Sequence, residues 1–127
     1  MDKVKYYKYL FIVGALWNLI LGFLFFVMPV MGDTVYEMTG VEVPPSLVFY
    51  HAFFGVVFSF GIGYFLVARD LNKNHGIVFL GAIAKVFVFV LFLTYFFIGD
   101  SNIIPVIFVI GDLIFAILFA EFLINFK

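Results

Sequence analysis

Long apolar stretches separated by short polar ones dominate this chain. Four apolar runs, each 20 to 23 residues long by these bounds, cover residues 9–28, 46–68, 76–98 and 103–124. A helix rises about 1.5 Å per residue, so about 20 residues cross a hydrocarbon core of about 30 Å. None of the runs shows the alternation of apolar and polar residues that is typical of membrane β-strands. The pattern therefore predicts four transmembrane helices.

The links between the runs are short. Residues 69–75 and 99–102 form polar turns, and residues 29–45, the longest link, form a loop interrupted by glycines and a Pro-Pro pair. Short links place helices that are neighbours in sequence side by side and antiparallel. We therefore predict an all-α, up-down four-helix bundle, with residues 1–127 forming a single integral membrane domain.

The composition supports a membrane protein. Hydrophobic residues make up 66% of the chain and charged residues 12%, and the mean hydropathy is +1.24. Soluble domains have roughly half and a quarter, respectively. The net charge of −1 provides no basic surface for nucleic acid. The absence of cysteine excludes disulfides, thiolate metal sites and thiol catalysis.

The basic residues predict the orientation of the bundle. They lie before the first run, in the second link and at the end of the chain: Lys3, Lys5, Lys8, Arg69, Lys73 and Lys127. The charged residues of the first and third links are all acidic: Asp33, Glu37, Glu42 and Asp100. By the positive-inside rule, both termini are cytoplasmic and the protein is integral to the cytoplasmic (inner) membrane.

Two charged residues interrupt the last two runs. Lys85 lies about nine residues into the third run and Asp112 about nine residues into the fourth, so both are near the membrane midplane. An isolated charge there costs on the order of 2.5–3.5 kcal/mol, and a partner at the same depth offsets that cost. Since the two runs are antiparallel neighbours, we predict that Lys85 pairs with Asp112. The pair could be ionic, or neutral after proton transfer.

The first two runs carry polar residues at the same depth. Asn18 and Ser59 extend the pair to a predicted buried polar layer of Lys85, Asp112, Asn18 and Ser59. Glycines at a spacing of three or four share a helix face with these residues, which allows helices to pack closely. The predicted packing residues are Gly14, Gly22, Gly55, Gly63 and Gly81.

Two polar residues lie off this layer and are candidates for a ligand contact or a proton relay. His51 is nearer the outer boundary, on the helix face that also carries Ser59. Glu121 lies nine residues after Asp112 and is turned about 180° away from it. Its predicted partners are Lys8, Arg69 or another subunit.

The segment GIGYFLVARD at residues 61–70 closes the second run. It resembles the glycine–aromatic signature of the small four-span DoxX-like membrane proteins, and the likeness in the order of features covers most of the chain. The resemblance implies a four-helix membrane fold. Such families are mostly of undefined function, with some members linked to redox complexes and quinone chemistry. The resemblance implies no catalytic residue.

No phosphate-binding glycine loop, HExxH zinc motif or nucleophile elbow is present. We therefore predict no catalytic residue, no metal site and no cofactor. The expected function is that of a small non-enzymatic membrane protein. It would contact membrane lipids but no nucleic acid, and would act as a homo-oligomer or as an accessory subunit of a larger membrane complex. Two alternatives are a proton-coupled transporter or channel, and binding of a lipid, a quinone or a haem held between subunits.

Overall fold

A computed structural model describes residues 2–32, 34–40 and 42–126, and these fold almost entirely into helices. In chain order the elements are α1 (Lys3–Val27), a 3-10 turn (Met28–Met31), α2 (Thr34–Thr39), α3 (Val48–Arg69), α4 (His75–Phe97) and α5 (Ile103–Asn125). Four helices are long and apolar enough to cross a membrane: α1 with its 3-10 extension, α3, α4 and α5. The all-helical class is thus confirmed, and so is the prediction of four helices long and apolar enough to span a membrane.

Local side-chain chemistry sets helix bounds that hydropathy does not show. α1 begins at Lys3 rather than at residue 9, because the carboxylate of Asp2 accepts a hydrogen bond from the Val4 N–H at 2.9 Å. α5 begins in the same way, with the Asn102 side chain accepting from the Ile104 N–H at 2.8 Å. The link predicted as a loop over residues 29–45 contains the short helix α2.

The last carbonyl groups of α1 are bound by side chains of α3. Pro29 has no N–H, so the Phe25 carbonyl, four residues earlier, lacks its usual helical donor. The Tyr50 hydroxyl donates to that carbonyl at 2.5 Å, and Nε2 of His51 lies 3.0 Å from the carbonyl oxygen of Phe26. The His51 ring also stacks on the Phe26 ring, with the two centroids 4.3 Å apart. His51 therefore connects α3 to the end of α1.

The bundle consists of two closely packed pairs, α1 with α3 and α4 with α5. Glycines allow the first pair to approach. A Cβ atom added at Gly22 would lie 2.9 Å from the backbone nitrogen of Phe58, and one added at Gly61 would lie 3.0 Å from the backbone nitrogen of Leu19. Because a backbone atom cannot move aside as a flexible side chain can, these positions require glycine.

The other predicted packing glycines differ in what they contact. Gly14 lies against the aromatic rings of α5, Gly63 against Ile77, and Gly81 against Tyr64, so the last two bring α3 and α4 together. Gly55 differs, because no atom of another helix lies within 4 Å of the place its Cβ would take. The prediction that Gly55 packs within the bundle is therefore corrected.

The bundle interior is filled at one end. Buried hydrophobic side chains from all four long helices and the link after α3 form one cluster there: Tyr7, Leu10, Phe11, Ala15, Tyr64, Val67, Ala68, Leu71, Val78, Phe115, Phe119 and Phe122. The first turn of α1 and the last turn of α5 meet at this end, where the Lys3 ammonium donates to the carbonyl of Asn125 at 2.6 Å. We call this the termini end, and the opposite end, which carries α2, the α2 end.

We expect Gly22→Ala to lower the free energy of unfolding by about 1–3 kcal/mol, since the added methyl group meets the α3 backbone. Reversible unfolding of the purified protein in mixed micelles, titrated with sodium dodecyl sulfate, measures the change. Gly76→Ala is the matched control, because its added Cβ contacts nothing within 4 Å. Equal stability of the two variants would contradict the proposed close approach of α1 and α3.

Candidate functional site

Lys85 lies at the middle of α4 with only 5% of its side chain exposed. Its Nζ is 2.6 Å from Oδ1 of Asp112 on α5 and donates to Oδ1 of Asn18 on α1 at 2.9 Å. The predicted buried salt bridge is thus confirmed, and Asn18 joins it as expected. Two oxygen acceptors replace the water that the ammonium group loses on burial, which is the condition for a buried charge to be tolerated.

Two aromatic rings also lie close to the same ammonium group. The Lys85 Nζ lies 5.6 Å from the ring centroid of Tyr64 and 5.4 Å from that of Phe115. Ring faces carry partial negative charge and attract cations at such distances. Glycine at position 81, one turn before Lys85, leaves the room that the Tyr64 ring occupies.

Two neighbouring residues of α1 complete the site. The Asn18 amide nitrogen donates to the Val57 carbonyl of α3 at 3.0 Å, and Nε1 of Trp17 donates to Oδ1 of Asp112 at 3.2 Å. We call Trp17, Asn18, Lys85 and Asp112 the polar centre. The sequence reasoning missed Trp17, although a buried indole N–H generally needs an acceptor and Trp17 adjoins Asn18 at the same depth.

Ser59 does not belong to the polar centre, and the prediction is corrected there. Its side chain is exposed, and its hydroxyl donates to the Gly55 carbonyl of its own helix at 2.8 Å. The position of α3 that faces the centre is Val57, whose carbonyl accepts from Asn18. Side chains two residues apart on a helix point in directions that differ by about 200°. Ser59 therefore lies near the predicted depth but points away from the polar centre.

Glu121 lies on α5 at the termini end, and its partner differs from the two that were predicted within the chain. Its Oε1 accepts from the Tyr7 hydroxyl of α1 at 2.7 Å and from the Asn125 amide at 3.4 Å. The predicted partners Lys8 and Arg69 are therefore corrected to Tyr7, because Tyr7 is the residue of that α1 turn which points into the bundle, whereas Lys8 is exposed. Oε2 is buried and has no hydrogen-bond partner among the described residues.

A cavity of about 290 Å³ extends from the polar centre towards the α2 end. Trp17, Asn18 and Asp112 line its inner limit, and Thr39, Glu42 and Pro44 line its mouth. Aromatic side chains form much of its wall: Phe25, Tyr50, Phe53, Phe54, Phe92 and Phe108. The bundle is thus filled on one side of the polar centre and hollow on the other.

The cavity adjoins an apolar groove on the outside of the bundle, between α3 and α4. Phe53, Val88 and Phe92 line both the cavity and the groove. The glycine contacts that hold α3 and α4 together, at Gly63 and Gly81, lie nearer the termini end. The two helices therefore leave room between them in the half of the bundle that contains the cavity.

Other site chemistry is limited in the described part of the chain. No three His, Cys, Asp or Glu side chains there are grouped closely enough to hold a metal ion.

Comparison of the chain with protein-family models, with curated proteins and with solved structures found no match. The resemblance to DoxX-like proteins therefore stays a prediction.

We expect Lys85→Ala and Asp112→Ala each to lower the free energy of unfolding by about 3–5 kcal/mol, because each leaves the other charge buried without its ionic partner. The double variant should recover much of that loss, since both charges are gone. Unfolding in mixed micelles gives the coupling energy. Lys73→Ala, which removes an exposed salt bridge to Asp70, is the control and should change stability by about 1 kcal/mol at most. A double variant no more stable than the singles would show that the two residues have separate roles.

Proposed function

We propose that this is a non-enzymatic membrane protein that binds a lipid or another membrane-soluble amphiphile, such as a quinone. The observation that carries the proposal is the cavity, with its volume of about 290 Å³, its aromatic wall and the polar groups of Asn18 and Asp112 at one end. Ligand sites typically have an apolar concave lining with a few placed polar groups, and volumes of about 300–1,000 Å³.

The groove between α3 and α4 supports entry of such a ligand from the bilayer. A membrane-soluble molecule is already concentrated among lipid chains, so a lateral opening at Val88 and Phe92 would admit it without passage through water. Haem fits less well. The described lining contains no histidine, and Nε2 of His51 is held by the Phe26 carbonyl.

The geometry favours a binding site over a transport pathway. A pathway would have to continue from the polar centre to the termini end. That half of the bundle is occupied by packed aromatic side chains, with Phe11 stacked on Phe119 at 5.0 Å and Tyr64 set edge-on to Phe119 at 4.9 Å between ring centroids.

We further propose that the termini end is cytoplasmic and that the protein lies in the inner membrane. Lys3 and the turn that holds Lys73 belong to this end, whereas Glu37, Glu42 and Asp100 belong to the α2 end. This arrangement supports the positive-inside assignment. Two residues used in the sequence prediction, Asp33 and Lys127, lie outside the described residues.

Self-association, or a place as an accessory subunit of a larger complex, is a second candidate, and α3 carries the observation in its favour. An added Cβ at Gly55 would meet no described atom within 4 Å, and the Ser59 side chain one turn further along α3 is exposed. Small residues on an exposed helix face let another transmembrane helix approach closely. This face would receive a helix from a second copy or from a partner subunit.

We expect the wild-type protein, purified from membranes in mild detergent, to carry a bound amphiphile that native mass spectrometry detects as added mass. Val88→Phe fills the space shared by cavity and groove and should remove that mass. Val86→Phe is the matched control on the same helix, since Val86 is exposed on the bundle surface. Retention of the same mass by both variants would contradict the proposed site.

The second candidate, self-association or a place in a larger complex, is tested by a different measurement. In blue-native electrophoresis the wild-type protein should migrate as an oligomer or within a larger complex, and Gly55→Leu and Ser59→Leu should shift it to a smaller species. Val56→Leu changes the neighbouring exposed position and should leave the migration unchanged. A protein that migrates only as a monomer in every membrane extract would exclude this second candidate.

A further inference from the structure

The oxygen atoms of Asp112 are used unequally. Lys85 and Trp17 both donate to Oδ1, at 2.6 and 3.2 Å. In the described part of the chain no hydrogen bond reaches Oδ2, and the Asp112 side chain, 21% exposed, lines the cavity. A carboxylate oxygen accepts hydrogen bonds and cannot donate them. The cavity therefore ends in an acceptor that is available to a ligand.

The hydrogen-bond donors beside this oxygen are already engaged. The indole N–H of Trp17 is directed to Asp112 itself, and the Asn18 amide nitrogen donates to the carbonyl of Val57. The Lys85 ammonium does not line the cavity, and it donates to Asn18 and Asp112. A ligand whose polar group only accepts hydrogen bonds, such as an ether, an ester or a carbonyl, would have to compete for these donors.

Charge restricts the ligand further. Asp112, which lines the cavity, is already paired with the Lys85 ammonium at 2.6 Å, and Lys85 does not line the cavity. An anionic ligand would be repelled by the Asp112 carboxylate, and a cationic ligand would compete with Lys85 for the same carboxylate. A neutral donor avoids both and also the cost of burying an additional charge.

From these contacts, and resting on the proposed function, we propose that the site selects neutral amphiphiles whose polar end is a hydroxyl that donates to Oδ2 of Asp112. The hydrocarbon part would lie against the aromatic wall and leave between α3 and α4 through the groove at Val88 and Phe92. Long-chain alcohols, monoacylglycerols and prenylated hydroquinones share this chemistry. Their methyl ethers have the same shape without the donor.

The intrinsic fluorescence of Trp17 can report binding in the cavity. Trp17 is the single tryptophan of the sequence and lines the inner limit of the cavity. Bromine quenches indole fluorescence at short range, so a long-chain alcohol brominated on its chain and the methyl ether of that alcohol form a matched pair of probes. Both are titrated into the wild-type protein in mild detergent. Val88→Phe gives the quenching that comes from micelle contact alone.

We expect the alcohol to quench Trp17 at a concentration about tenfold or more below that of the ether, because the ether leaves Oδ2 of Asp112 unpaired. Asp112→Asn keeps an oxygen for Lys85 but places an N–H₂ donor at the cavity. In that variant the preference for the alcohol over the ether should be lost or reversed. The wild-type comparison needs no variant at the polar centre, so the proposal is testable even if Asp112→Asn does not fold.

The outcomes separate the two proposals. Equal quenching by alcohol and ether, each above the Val88→Phe background, would overturn the hydroxyl selectivity and leave amphiphile binding intact. Quenching by neither probe above that background would overturn amphiphile binding itself. With the alcohol bound, displacement by a monoacylglycerol or by a prenylated hydroquinone supports the selectivity and identifies the source of the hydroxyl.

Discussion

The burial of the Lys85 ammonium in the middle of the bundle is the constraint on which the rest of the structure depends. A charge at this depth is tolerated only with close acceptors, and the chain supplies Asp112 at 2.6 Å from α5 and Asn18 at 2.9 Å from α1. These two contacts require α1, α4 and α5 to meet at one level. The Asn18 amide then reaches the backbone of α3 at Val57, so that a single group of hydrogen bonds sets the register of all four long helices.

The polar centre also divides the bundle into two unlike halves. Towards the termini, aromatic rings such as Phe11 and Phe119 stack and leave little space. Towards α2, a cavity of about 290 Å³ remains between α1, α3, α4 and α5. Glycines account for part of this difference, because Gly63 and Gly81 bring α3 and α4 together on the filled side only. A site with one polar end and one apolar body follows from this asymmetry, and the proposed binding of an amphiphile rests on it.

The depth of each polar residue within the bundle could be predicted from the sequence, but the rotation of each helix about its axis could not. Counting residues from the ends of the apolar runs put Lys85 and Asp112 at one level, and their short link made them neighbours; both inferences hold. The same counting put Ser59 at that level, yet the side chain is exposed and bonds to its own helix. The rotation of α3 is decided by where its backbone packs on α1, at Phe58 against Gly22, and that contact has no signature in hydropathy.

The sequence by itself determined that the chain is helical, that four segments can span a membrane, and that a lysine and an aspartate must meet within them. Each of these follows from local quantities: hydropathy, helix rise and the cost of a buried charge. Only the tertiary structure decided that Trp17 joins the pair, that Glu121 binds Tyr7, and that a cavity ends at Asp112. These features depend on which side chains fill the space between helices, and packing of that kind is a property of all the helices together.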